Sequence, residues 1–83
     1  MKGINLSKIS EIRHRIRDDE YSLTLEIPED IYYSSYKKIN KDIACDIVEF
    51  YLEKRHDIGK PHDTHIDHIE KENKVNVFTE LDY

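Results

Sequence analysis

Hydrophobic and polar residues alternate in two parts of the chain, which is the pattern of β-strands that are buried on one face. Residues 21–27 alternate without interruption, with the apolar positions Tyr21, Leu23, Leu25 and Ile27. The last twenty residues alternate again, with Ile66, Val75, Val77 and Leu81. A turn at Glu72-Asn73 would place Ile66 opposite Thr79 and His68 opposite Val77. The C-terminal part therefore predicts a β-hairpin.

The segment before residue 21 has two interpretations. Ile12, His14 and Ile16 alternate, and a turn at Asp18-Asp19 would pair them with Leu25, Leu23 and Tyr21 in a first hairpin. An amphipathic helix is the other interpretation, because apolar residues also occur at spacings of three, three and four: Leu6, Ile9, Ile12 and Ile16. Residues 21–27 form a strand in either case.

Residues from Asp30 to about Arg55 predict one long amphipathic helix. Apolar residues recur there at spacings of four, three, four, four and three: Tyr32, Tyr36, Ile39, Ile43, Ile47 and Phe50. Pro28 before the helix is compatible with a helix start. Residues 1–83 are therefore expected to form one α+β domain. A three- or four-stranded antiparallel sheet packs against one long helix, in the order ββαββ, or αβαββ if the N-terminal segment is helical.

The predicted helix carries two further rows of side chains. The apolar row consists of Ala44, Val48 and Leu52. With this row, the apolar surface of the helix is wider than the stripe that packing on one sheet requires. Either the N-terminal segment covers the apolar row, or the row contacts a partner, such as a second copy in a homodimer. The acidic row consists of Asp42, Asp46, Glu49 and Glu53. Such a row either keeps the protein soluble or competes with nucleic-acid phosphates for a basic groove.

Composition narrows the function classes. The net charge is −5 and 37% of the residues are charged. No stretch approaches the roughly 18 apolar residues of a membrane-spanning helix. The acidic balance favours a protein partner with a basic surface, and direct nucleic-acid binding is not expected. The residues that could support nucleic-acid binding are Arg13, Arg15, Arg17, Lys37, Lys38 and Lys41. The single Cys45 excludes an intramolecular disulfide, and without a secretory signal the cytoplasm is expected.

Histidines concentrate between residues 56 and 68. His56, His62, His65 and His68 occur there among Asp57, Asp63 and Asp67. Imidazoles and carboxylates are zinc ligands, but His65 and His68 would point to opposite faces of a strand. We expect no metal or cofactor, and a metal-binding protein built on these histidines is an alternative.

Residues 23–31 and 47–52 resemble the strand and helices of ribbon-helix-helix repressors and antitoxins. This resemblance implies a DNA-binding dimer in which outward strand residues enter the major groove. Those residues would be Ser22, Thr24 and Glu26.

The preferred interpretation is a small acidic, non-enzymatic protein that binds and blocks a host macromolecule. Its concrete form is a phage or mobile-element inhibitor of a nucleic-acid-binding factor, and this interpretation rests on the small size, the net charge, the acidic row and the apolar row. The partner-binding residues would be the acidic and apolar rows.

Overall fold

The computed structural model describes residues 4–83, and within them an antiparallel sheet carries helices on one face. The strands are β1 (Ser10–Arg17), β2 (Glu20–Pro28), β3 (Lys60–Ile69) and β4 (Lys74–Asp82). The helices are α1 (Glu29–Ser35) and α2 (Lys41–Lys54). The sheet order is β1-β2-β4-β3, and neighbouring strands are antiparallel. The predicted α+β class is confirmed, with four strands in the described part of the chain.

The N-terminal segment forms the hairpin rather than the helix, but its predicted register is wrong. Leu23 lies opposite Arg13 instead of His14, because a bulge interrupts the pairing between Arg15 and Arg17. A shift of one residue turns every side chain of a strand to the other face. Ile12 lies opposite Thr24 on the open face of the sheet and is 39% exposed, and Ile16 at the bulge is 44% exposed, so neither is in the core.

The predicted C-terminal hairpin is confirmed with a register two residues away from the expected one. Ile66 lies opposite Val77 and His68 opposite Val75, so the pairs with Thr79 and Val77 that the sequence suggested are wrong. An even shift leaves each side chain on its predicted face. The turn ends at Asn73, which has a φ of 55°. Asparagine tolerates this left-handed conformation better than most residues.

The prediction of one continuous helix is wrong. α1 ends at Ser35, the backbone of Tyr36 is extended, and α2 begins at Lys41. Asn40 caps α2, since its side-chain oxygen accepts a hydrogen bond from the Ile43 N–H at 2.8 Å. The Tyr32 hydroxyl donates to the Lys38 carbonyl and so holds the linker against α1. Among residues 4–83 no helix is long and apolar enough to cross a bilayer.

The core lies between α2 and the inner face of the sheet. Ala44, Val48 and Leu52, the apolar row, are at most 5% exposed. They belong to the same buried cluster as Ile4 and Ile9 of the N-terminal segment. The chain itself thus buries the apolar row, which is the first of the two alternatives that the sequence left open.

Candidate functional site

The acidic row is a surface of α2 that is open to solvent. All four of its side chains are exposed on α2: Asp42, Asp46, Glu49 and Glu53. None of them forms an ion pair with another residue of the 4–83 segment. From Asp42 to Glu53 the helix rises about 16 Å. The row therefore presents four uncompensated negative charges along one straight edge.

The arginines of β1, in contrast, all have acidic partners. The Arg13 guanidinium lies 3.0 Å from Asp57, Arg17 lies 3.0 Å from Glu20, and Arg15 pairs with Asp18. The three residues were the strongest candidates for phosphate contacts. Because carboxylates already occupy them, β1 offers little free positive charge to a nucleic acid.

The position of β2 differs from the strand of a ribbon-helix-helix protein. A strand that paired with a second copy in such a dimer would need one free edge. Here β2 pairs with β1 along one edge and with β4 along the other. Ser22, Thr24 and Glu26 lie on the open face of the sheet, but β2 has no free edge for a second copy.

A polar network fixes β1 to the end of α2. Arg13 donates to Asp57 at 3.0 Å and to the Tyr83 hydroxyl at 2.9 Å. Burial raises the pKa of the Asp57 carboxyl, but hydrogen bonds from Tyr83, the Gly59 N–H and Arg13 outweigh it and hold this pKa below 3.8. Burial also raises the pKa of Tyr51 to about 12, so its phenol stays protonated and donates to Glu11.

The four histidines that the sequence singled out do not converge. His56 is exposed after the end of α2, and His65 is exposed on the open face of the sheet. His68 lies on the inner face, where its Nε2 contacts Glu29. A metal site that combines these histidines is therefore not formed.

His62 instead lies among carboxylates of β2 and β4, with Asp63 of its own strand beside it. Its Nε2 is 3.5 Å from Glu20, 3.9 Å from Glu80 and 3.2 Å from Asp82, and its Nδ1 is 3.1 Å from Asp63. The hydrogen bond to Asp63 raises the pKa of His62 above 6.5, and Asp82 acts in the same direction.

Sequence reasoning missed this cluster because it depends on the order of the strands. Glu20 lies opposite Asp82 in the β2–β4 pair, and His62 lies opposite Glu80 in the β3–β4 pair. Only the spacing of the histidines was visible along the chain. Positions 20 and 82 come together through the sheet order β1-β2-β4-β3.

No protein-family model matches the chain, and no curated protein or solved structure matches it either. Function is therefore inferred from the surfaces of the chain itself.

Proposed function

We propose that the chain is a small acidic, non-enzymatic protein of the cytoplasm that docks its acidic row on a basic surface of another protein and so blocks that surface. The proposal rests on one observation: Asp42, Asp46, Glu49 and Glu53 are exposed along α2 and have no ion-pair partner among residues 4–83. The concrete version is an inhibitor, encoded by a phage or mobile element, of a nucleic-acid-binding factor of the host.

The dimensions of the row suit a groove that normally holds nucleic acid. Over about 16 Å of helix it presents four carboxylates. One DNA strand presents about five phosphates over the same axial length, at roughly 3.4 Å per phosphate. A basic groove that binds phosphates thus finds a similar linear charge density on α2.

The remaining surface supports a protein target over a nucleic-acid target. The net charge is −5, and the three arginines of β1 are paired with carboxylates. A chain of this charge is repelled by phosphates at long range and attracted by basic proteins. Electrostatic complementarity of this kind acts mainly on the association rate and on partner choice.

The test compares two variants that carry the same charge. In the first, the acidic row is neutralised by Asp→Asn and Glu→Gln changes at positions 42, 46, 49 and 53. In the control, the same changes are made at four exposed carboxylates that also lack ion pairs: Asp19, Asp30, Asp67 and Glu70. Each variant loses four negative charges from a net charge of −5. Circular dichroism checks that both fold.

Each protein is immobilised and exposed to a bacterial lysate at physiological ionic strength, and retained proteins are identified by mass spectrometry. We expect a nucleic-acid-binding protein that the wild type and the control retain, the row variant loses, and added duplex DNA displaces. Capture should also weaken steeply with salt, because exposed charges are screened beyond roughly 8–10 Å. Equal capture by both variants, or direct binding of duplex DNA by the wild type in a gel shift, would refute the proposal.

A further inference from the structure

The carboxylates around His62 come from three strands and meet on the open face of the sheet. Glu20 begins β2, Asp82 ends β4, and these two residues lie directly opposite each other. His62 of β3 lies opposite Glu80, two residues before Asp82 on the same face. One ligand atom each from Glu20, His62 and Asp82 lies within 4.8 Å of the others. The three groups thus surround a common centre.

Two distances at this centre, both from His62 Nε2, are compatible with those between metal ligands. Zinc binds histidine nitrogen and carboxylate oxygen at about 2.0–2.2 Å, so tetrahedral ligands lie about 3.3–3.6 Å apart. His62 Nε2 is 3.2 Å from Asp82 Oδ1 and 3.5 Å from Glu20 Oε2. Glu80 Oε1 lies 3.9 Å from His62 Nε2, so a small side-chain movement would make it a further ligand.

The orientation of the imidazole is an independent observation. The His62 side chain is 35% exposed, but its Nε2 is shielded from solvent and has no hydrogen-bond partner among residues 4–83, although three carboxylates lie within 3.9 Å of it. No single carboxylate oxygen thus satisfies this nitrogen with good hydrogen-bond geometry. A lone pair directed at the centre of a ligand set has this geometry, whereas an N–H that served one carboxylate would be aligned with its oxygen.

Two neighbours orient the ligands from outside. Asp63 is 3.1 Å from His62 Nδ1, so a neutral imidazole that donates from Nδ1 to Asp63 would leave Nε2 as the ligand atom. Consecutive strand residues normally point to opposite faces, and the bulge after His62, with a φ of 53° at Asp63, permits this contact. Arg17 pairs with Glu20 Oε1, which leaves Oε2 directed at His62.

We propose that His62, Glu20 and Asp82 bind a divalent transition-metal ion, with Asp63 as a positioning residue. A mixed imidazole and carboxylate set suits Zn²⁺ and similar first-row ions, whereas Mg²⁺ and Ca²⁺ favour sites made of oxygen alone. Glu20 and Asp82 also line an open groove together with Asp18 and Asp19, which gives the ion a path from solvent. The ion would link β2, β3 and β4 at one end of the sheet, through residues that are distant in sequence. This site is independent of the acidic row on α2.

The full chain, freed of metal with a chelator, is titrated with Zn²⁺ in a calorimeter at neutral pH and physiological ionic strength. We expect one Zn²⁺ per chain and an affinity at least about tenfold lower for His62→Ala, Glu20→Gln and Asp82→Asn. Asp63→Asn should also lower it about tenfold. His65→Ala is the matched control, since His65 is exposed on the same strand and face outside the cluster, and should bind as the wild type does. A similar loss in His65→Ala, or binding without a defined stoichiometry, would overturn the proposal.

Nitrogen-15 spectra of the histidine rings give a readout on the unaltered protein. Saturating Zn²⁺ should shift Nε2 of His62 and leave the ring nitrogens of His56 and His65 in place. A nitrogen-15 shift on another histidine, or no shift at all, would contradict the proposed site. This result does not depend on whether any variant folds. Zn²⁺ should also raise the melting temperature of the wild type and not that of His62→Ala, because an ion that binds only the folded state stabilises it.

Discussion

Arg13 shows how single residues fix the free edge of this sheet. β1 is an edge strand, and its inner face presents charged side chains where a buried strand would present apolar ones. Arg13 reaches Asp57, which follows the C-terminal end of α2, at 3.0 Å, and Tyr83, which follows β4, at 2.9 Å. Inward charges on an edge strand also oppose pairing with another chain. The arginine therefore stabilises the hairpin and protects its edge.

Replacing Arg13 by methionine should lower the free energy of unfolding by about 2–3 kcal/mol. Asp57 would lose a charged partner while its side chain remains only 13% exposed, and hydrogen bonds to charged groups contribute roughly 1.5–3 kcal/mol. Arg15→Met is the control, because the exposed pair with Asp18 is worth at most about 1 kcal/mol. Urea denaturation measures the free energy of unfolding of both variants. Equal decreases in the two variants would mean that the buried network adds no stability.

Asp57 should make stability depend on pH in the acidic range. Its pKa in the folded protein lies below 3.8, because hydrogen bonds from Tyr83, Gly59 and Arg13 outweigh the effect of burial. A lowered pKa contributes stability above the unfolded value, and this contribution disappears as the pH falls through the folded value. The free energy of unfolding should therefore decrease below about pH 4. Asp57→Asn should reduce this slope, and Asp67→Asn, at an exposed site, should not.

At the scale of elements, the sequence predicted the types of most segments but not their boundaries and registers. Alternation in residues 21–27 identified β2 because that strand is buried on one face along its length. The register of β1 was out of reach, since its inward residues are charged and the bulge near Ile16 has no local signal. Periodicity alone extended the helix through residues 36–40. Ser34, Ser35 and Asn40 were the signals against continuity, since such side chains compete with the helical backbone for hydrogen bonds.

Asn40 should contribute more to the free energy of unfolding than an ordinary linker residue, because it caps α2. Its side chain accepts from the Ile43 N–H, so Asn40→Ala should cost about 0.5–2 kcal/mol, whereas Asn40→Asp keeps the acceptor and should cost little. Denaturation curves of the two variants give the comparison. Chemical shifts of residues 36–40 in the wild type should be non-helical. Helical shifts across this segment would show that α1 and α2 are continuous in solution.

At the scale of the whole molecule, features formed by one element could be predicted from the sequence, whereas features that combine distant elements could not. The acidic row lies on one helix, so the 3.6-residue period was enough to predict its common edge. The His62 cluster depends on residues 20 and 82, which no local pattern connects. The apolar row was correctly placed on one side of α2, but whether the chain or a partner covers it is a property of the complete packing.

Val48 gives the last prediction, because it decides between these two ways of covering the apolar row. Val48 is fully buried in the same cluster as Ile4, Ile9 and the inner residues of the sheet. An aspartate there would be an unpaired charge in an apolar core. That cost is of the order of several kcal/mol, close to the total stability of a small domain. Val48→Asp should therefore lose its helical circular dichroism, while Val48→Ala should remain folded with a cost of roughly 1–3 kcal/mol.

Sedimentation of the wild type and of Val48→Ala should give the same mass. A Val48→Asp protein that kept its helices and sedimented at half the wild-type mass would show that the row is a contact between two copies.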